Sequence, residues 1–331
     1  MLGENLQQVS ESTTVIFRVD SVIHMGIQRR AVLGSMSLAA FTLSGCLSRD
    51  ESTNGVDGGR GELTVAVTTS TYDAGLLDEL HSTFESTYNV SVRTISGGTG
   101  ETIATGERGD ADAVMAHAPP LEAEFLESGY GINRRDFTVG DFIIAGPPAD
   151  PAGVKESDTA SEAFERIATA EAPFLSRGDT SGTHVKELEV WAESDDEPDG
   201  GWYSEAGQGM GETLIQAGQM DAYVLSVRGN FVDMRDRTGL ELLLEGPLRD
   251  GDPMLENPYG IIAVNPAKHE TVDYELAMLY VGFLTGVDGQ AIIDAYRIDG
   301  EQVFLPSGLS TEPSVGQYHP ESANVSTEGG T

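Results

Sequence analysis

The chain has 331 residues, enough to bury one large core or the cores of two lobes, and carries 54 Asp and Glu against 19 Lys and Arg, a formal net charge of −35. That balance excludes a nucleic-acid partner, because a phosphate backbone needs a basic surface. With lysine confined to Lys155, Lys186 and Lys268, the acidic surface matches a halophilic protein in molar salt, where the screening length falls to about 3 Å and surface charge hardly opposes an incoming anion.

Residues 1–24 have no signal character, so Met25 is the expected start. Arg29 and Arg30 then precede an apolar run over residues 31–45. Its fifteen residues are too few to span a bilayer and suit the apolar region of an export signal. The paired arginines before Ala31-Val32-Leu33-Gly34 resemble a twin-arginine (Tat) signal, and Leu43-Ser44-Gly45-Cys46 resembles a lipoprotein processing box. Cys46 is the only cysteine, which excludes an intrachain disulfide and makes lipid attachment its expected use. Residues 1–46 are thus read as the export signal and 47–60 as a flexible acidic tether. The expected location is extracytoplasmic, on the outer face of the cell membrane.

The folded body opens with a strand at 63–67, a hydroxyl-rich turn Thr68-Thr69-Ser70-Thr71, and then Leu76, Leu77, Leu80, Phe84 and Tyr88 at helical spacing. Asp73 sits where a helix N-cap would. Ser96-Gly97-Gly98-Thr99-Gly100 is a glycine turn opening a further helix through Glu101 to Glu107. Apolar runs at 89–95, 111–116, 141–146, 222–226, 241–245 and 260–264 alternate with helical patterns, which predicts an α/β fold of parallel sheets with helices on their faces. In open sheets of that kind ligands bind at the carboxyl ends of strands, where such turns lie. Beyond about Ser310 the chain is polar, and 310–331 is read as a loose tail.

The stretch Ser176-Arg177-Gly178-Asp179-Thr180-Ser181-Gly182-Thr183-His184 carries the most chemistry. Val185, Leu188, Trp191 and Ala192 predict a helix from about Val185. Backbone N–H groups at its start, Ser181 and Thr183 hydroxyls, and the planar fork of Arg177 together suit an oxyanion. Each turn taken singly is equally an ordinary helix cap, and Arg177 beside Asp179 is equally a structural ion pair. Three such turns, one with Arg177, favour a shared anion.

Other segments also carry chemistry-bearing residues. Ser181 and His184 form the seed of a serine hydrolase, but nucleophile and base ordinarily sit on separate elements with a third orienting residue, and no Gly-x-Ser-x-Gly elbow occurs. His117, after a strand, lines the cleft or lies at the surface. Gly207-Gln208-Gly209-Met210-Gly211 lacks the Lys-Ser/Thr of a P-loop and either borders the cleft or allows close packing. The cluster Asp195, Asp196, Glu197, Asp199 reads as a solvated loop. No catalytic residue, cofactor or cationic metal site is expected.

Several motifs in order carry a family resemblance: Thr68-Thr69-Ser70-Thr71 with Asp73-Ala74-Gly75-Leu76-Leu77, Gly131-Ile132-Asn133-Arg134-Arg135, the Arg177 to His184 segment, Trp202-Tyr203-Ser204-Glu205-Ala206-Gly207-Gln208-Gly209-Met210-Gly211, and Asn257-Pro258-Tyr259-Gly260. Together they resemble the tungstate-binding (TupA-type) components of tungstate ABC importers. The resemblance implies a two-lobed type II periplasmic-binding-protein fold with two crossovers, near 142–147 and 257–264, and an oxyanion closed in the interlobe cleft. Lobe 1 would comprise 61–145 and 259–309, and lobe 2 146–258. Thr68, Thr69, Ser70 and Thr99 would face Arg177, Ser181 and Thr183 across the cleft, with an ABC permease as partner. The family's first threonine is Val67 here, so either Val67 faces the core or the site has lost a hydroxyl. Tungstate, molybdate and sulfate offer only acceptors near neutral pH, whereas hydrogen phosphate also brings a donor and gains from a carboxylate such as Asp179 or Asp73. The motifs favour tungstate, then molybdate; a phosphate or sulfate receptor of the same fold is the alternative.

Overall fold

The computed structural model describes residues 61–179, 181–194, 198–310 and 314–315. The export signal, Cys46, the tether, Thr180, residues 195–197 of the acidic cluster and the rest of the tail lie outside the described residues.

Strand β1 (Glu62–Thr68) sends Leu63, Val65 and Val67 into one core and Ala66 into the opposite one, all fully buried, which is why it reads as an unbroken apolar run. A short helix α1 (Thr69–Asp73) and then α2 (Leu76–Tyr88) follow. Gly75, at φ +74°, makes the break between them and is the N-cap of α2. Asp73, expected at that cap, is instead the last residue of α1. Next come β2 (Ser91–Gly97), α3 (Thr99–Glu107), β3 (Ala113–Ala116), α4 (Pro119–Glu127) and the long β4 (Gly131–Gly146). Only the end of β4 shows in the apolar pattern. Its first half hides behind charges, because Arg134 is buried between Glu122 at 2.8 Å and Asp136 at 2.5 Å.

The chain continues through α5 (Ala160–Thr169), β5 (Phe174–Ser176), α6 (Gly182–Glu193), β6 (Tyr203–Glu205), α7 (Met210–Met220), β7 (Val224–Val227), α8 (Arg228–Thr238) and β8 (Glu241–Leu244). It returns in β9 (Glu256–Val264) and closes with α9 (Tyr274–Thr285), α10 (Val287–Ala295) and β10 (Leu305–Pro306).

The fold is mixed α/β, and its main sheet, in the order β10-β4-β9-β3-β1-β2, is not parallel throughout. β1 runs parallel to β2 and β3, as β5 does to β6. β9 is antiparallel to β3 and β4, and β4 is antiparallel to β7, β8 and β10. The expectation of parallel sheets fails at these pairs because β9 re-enters the sheet between β3 and β4 and runs opposite to both.

β4 changes partners along its length: residues up to Asp141 pair with β9, and those from Phe142 pair with β7 and β8. At the change Arg228 donates twice to Asp141, each bond 2.6 Å, and also reaches Glu245 at 2.5 Å. Breaking so buried a pair from one side would cost about 3–5 kcal/mol. The cores follow the same division. Two draw on residues 63–137 and 259–315 with Val232 added, and two draw on residues 142–255. Ser314 and Val315, in the stretch read as a loose tail, are held on the body: Ser314 donates its N–H (2.8 Å) and hydroxyl (2.5 Å) to Asp136, and Val315 is buried.

Candidate anion-binding site

The carboxyl end of β1 runs straight into α1. Val67 is fully buried in the core, so it is the spare position and not an exposed site residue. Thr68 is buried with its Oγ1 2.7 Å from Thr71 Oγ1. Thr69 opens α1, is partly exposed, and has no side-chain hydrogen bond among the described residues. Ser70 is buried, its Oγ 2.6 Å from His117 Nε2.

His117 follows β3 and is 2 % exposed, which removes the surface reading. Its Nδ1 lies 3.0 Å from Asn257 Oδ1, and Asn257 donates through Nδ2 to Tyr259 Oη at 2.9 Å. The imidazole stacks on the Tyr259 ring with 5.0 Å between centroids. Burial pulls its pKa down to about 4; the Asn257 bond opposes this and the Arg177 charge adds to it.

Thr99 opens α3, is 1 % exposed, and through Oγ1 accepts the N–H of Gly182 at 2.9 Å. Gly182 is the first residue of α6, so the helix starts three residues before the expected Val185. Ser181 explains this: its hydroxyl caps the helix by accepting the His184 N–H at 3.3 Å. A Cβ on Gly182 would stand 2.7 Å from His117 Cε1 and 3.0 Å from the His117 carbonyl oxygen, so glycine lets α6 close on the loop after β3.

Arg177 leads into that helix from β5. Gly178 turns the chain at φ +60°, where a Cβ would lie 2.4 Å from Glu205 Cβ. The Ala206 and Gly207 N–H groups donate to the carbonyls of Ser176 and Arg177, each at 2.9 Å. The glycine-rich segment after β6 therefore borders Arg177. Arg177 is 5 % exposed and ion-paired with Asp179, whose other oxygen accepts the Ser181 N–H at 3.1 Å. Asp179 thus orients the guanidinium and shapes the turn. Arg177 Nε and Thr183 Oγ1 are buried and have no hydrogen-bond partner among the described residues. Native proteins rarely leave such donors unpaired, so each invites an acceptor.

Two nearby carboxyl groups are shifted by their surroundings. Burial and then Glu212 push the Asp73 pKa up while Arg177 pulls it down, which places Asp73 in the field of the guanidinium. Glu187, 1 % exposed on α6, accepts from Tyr203 Oη at 2.8 Å, and burial pushes it up to about 6.

The structure therefore joins Ser70 and Thr99 through His117 and Gly182, brings Ser181 and Thr183 alongside as the chain neighbours of Gly182, and sets Arg177 close enough to act on His117. It joins Thr68 only through the chain, and Thr69 to none of them. The Ser181 and His184 pair is not a nucleophile and base, because the His184 ring donates to the Asp179 carbonyl and only its backbone N–H meets Ser181 Oγ. Sequence reasoning missed Thr71, Asn257 and Tyr259 as neighbours of the site. Asn257 and Tyr259 stand in a motif quoted for its family resemblance, yet nothing in their spacing pairs them with His117, 140 residues away. No cluster of three or more His, Cys, Asp or Glu side chains able to hold a cation occurs among the described residues.

Residues 52–288 match the model of the PBP superfamily domain. A Haloferax volcanii protein assigned as an ABC transporter anion-binding protein is 48% identical over 310 residues, 89% of this chain and 91% of that one. The tungstate-binding protein TupA of Peptoclostridium acidaminophilum is 34% identical, over 84% of this chain and 97% of that one. Among solved structures, the tungstate ABC transporter protein from Geobacter sulfurreducens superposes with a TM-score of 0.67 at 44% identity, over 72% of this chain and 100% of that one.

Proposed function

The chain belongs to the PBP superfamily and, within it, to the family of TupA tungstate-binding proteins of ABC transporters; from that premise we propose that it captures tungstate outside the cytoplasm and delivers it to an ABC importer. Molybdate is the second ligand. The observation that carries this reading is the pair of buried, unpartnered donors, Arg177 Nε and Thr183 Oγ1, at the N-terminus of α6. An unprotonated dianion accepts from both, in the positive field of the helix start.

The remaining ligand contacts are Thr68, Thr69, Ser70, Thr99 and Ser181. Residues 61–145 with 259–309 form one lobe and 146–258 the other, and closure seats the anion between them, driven by contacts made only with ligand bound. Thr99 accepting from Gly182 supports a closed arrangement. Twin-arginine export, a lipid on Cys46 and a molar-salt habitat complete the reading.

One observation favours a second reading. Ser70, His117 and Asn257 follow the hydrogen-bond order of a nucleophile, base and orienting residue. Equilibrium titration in molar salt with tungstate, molybdate, sulfate and phosphate decides the matter: tungstate binds tightest, and a preference for phosphate refutes the assignment. Ester turnover abolished by Ser70→Ala would establish the hydrolase instead.

A further inference from the structure

Proton positions in the His117 chain have a consequence for the ligand. Asn257 turns its amide oxygen to His117 Nδ1 and its amide N–H to Tyr259, so Nδ1 carries a proton and donates to Asn257 Oδ1 over 3.0 Å. A neutral imidazole then has a bare Nε2. At 2.6 Å from it, the Ser70 hydroxyl must donate to that nitrogen. Ser70 consequently turns only lone pairs toward anything else that approaches. Those lone pairs repel tungstate, which offers acceptors alone.

Charge leads to the same point. Arg177 is already paired with Asp179, so the guanidinium does not by itself offset a dianion. The groups packed on His117 are the side chains of Ser70 from α1, Asn257 and Tyr259 from β9 and Phe142 from β4, and the Gly182 backbone from α6. Of these only Tyr259 titrates, and burial pushes it well above its ordinary range. Burial holds the ring neutral in the free protein, and the Arg177 charge adds to it.

We propose that His117 is a positioning residue for oxyanion capture: binding of an unprotonated dianion is accompanied by uptake of one proton on His117 Nε2, which reverses the Ser70 hydrogen bond. The balance is simple. One N–H bond forms at the expense of a solvent or buffer proton. Nε2–H then donates to Ser70 Oγ, and the Ser70 hydroxyl donates to the ligand. The anion's negative charge favours the imidazolium, works against the burial that keeps the ring neutral and offsets the Arg177 field that adds to it, so ligand and proton favour each other. This inference rests on the oxyanion-binding function proposed above and assigns His117 and Ser70 their roles within it.

The test is calorimetric titration of the whole protein with dilute tungstate in molar potassium chloride, in buffers of different ionisation enthalpy, from about pH 6 to about pH 9. Wild type takes up about one proton per tungstate near pH 6, and its affinity falls by up to about tenfold per pH unit as pH rises. In His117→Gln a side-chain amide can donate to Ser70 Oγ without titrating, so uptake disappears and the affinity profile flattens. Ser70→Ala also loses uptake, which keeps the test available if the glutamine variant does not fold. Glu187→Gln retains uptake, separating His117 from Glu187, which burial pushes up to about 6. Tungstate binding by wild type without proton uptake, or uptake that survives in His117→Gln, overturns the role of His117 and leaves the binding function standing. No tungstate binding at any pH overturns both.

Discussion

Replacing Arg177 by alanine removes a guanidinium that is 5 % exposed, paired with Asp179 on one side and unpartnered at Nε. At an effective dielectric of about 20, one unit charge about 4 Å from another is worth about 4 kcal/mol. The pairing with Asp179 and the cost of dehydrating the anion offset part of that. What remains is close to the about 1.5–3 kcal/mol of a charge-assisted hydrogen bond. Asp179, left without its partner, then repels the dianion, so the loss should reach about 3 kcal/mol, a factor of about 150 in Kd. Arg177→Lys should fall between, because an ammonium keeps the charge but has no fork to serve Asp179 and the anion at once. The assay is tungstate titration in molar salt, with thermal unfolding of the free variant as the control for folding. A folded Arg177→Ala protein that binds tungstate within about threefold of wild type would remove the guanidinium from the site and the reasoning with it.

Three further outcomes are expected. Thr183→Val removes a buried hydroxyl that has no partner in the free protein, so unfolding stability should stay level or rise while tungstate affinity falls by about 1 kcal/mol; a loss of stability with unchanged affinity contradicts the assignment. Gly182→Ala places a methyl 2.7 Å from the His117 ring, so ligand-induced thermal stabilisation should largely vanish, and an unchanged Tm shift with tungstate counts against closure at this contact. His117, with its folded pKa pulled down to about 4 from an ordinary value near 6.5, binds fewer protons folded than unfolded between those values. Its contribution is present above about pH 6.5 and lost as pH falls through 4, about 3 kcal/mol in all, so denaturant midpoints should drop over that window less steeply in His117→Gln than in wild type.

Much of this was legible from the chain alone, for physical reasons that differ by element. β1 and α2 announced themselves because their burial is simple: apolar residues at strand and helix periods facing cores. The turn into α6 was legible in the Arg177 segment because a capping serine and two glycines lie together there, and the structure has Gly178 at φ +60° and Ser181 as the cap. The first half of β4 was not, because Arg134 and Asp136 satisfy each other inside the protein and look like surface charges in a linear reading. The start of α6 was misplaced because apolar periodicity marks where a helix packs, whereas Ser181 marks where it begins. His117 was seen but not placed. Its partners Ser70 and Asn257 lie 47 and 140 residues away, and such a contact is fixed by sheet order, which local patterns do not encode.

A net charge of −35 and an anion ligand conflict only if charge acts at long range. In molar salt the screening length of about 3 Å is shorter than the reach of a surface carboxylate to the buried site, so the acidic exterior neither steers nor expels the ligand. What survives screening is contact, and the proposed contacts, the Arg177 guanidinium and the Thr183 hydroxyl, are both buried. A site built from neutral donors and one guanidinium therefore suits this exterior better than a lysine-lined groove, whose attraction depends on the long-range field that salt removes. The corresponding expectation is that tungstate affinity changes little between two molar salt concentrations at which the protein stays folded. A steep, log-linear loss of affinity with added salt would mean that long-range attraction, and not the dehydrated contact set around Arg177, holds the anion.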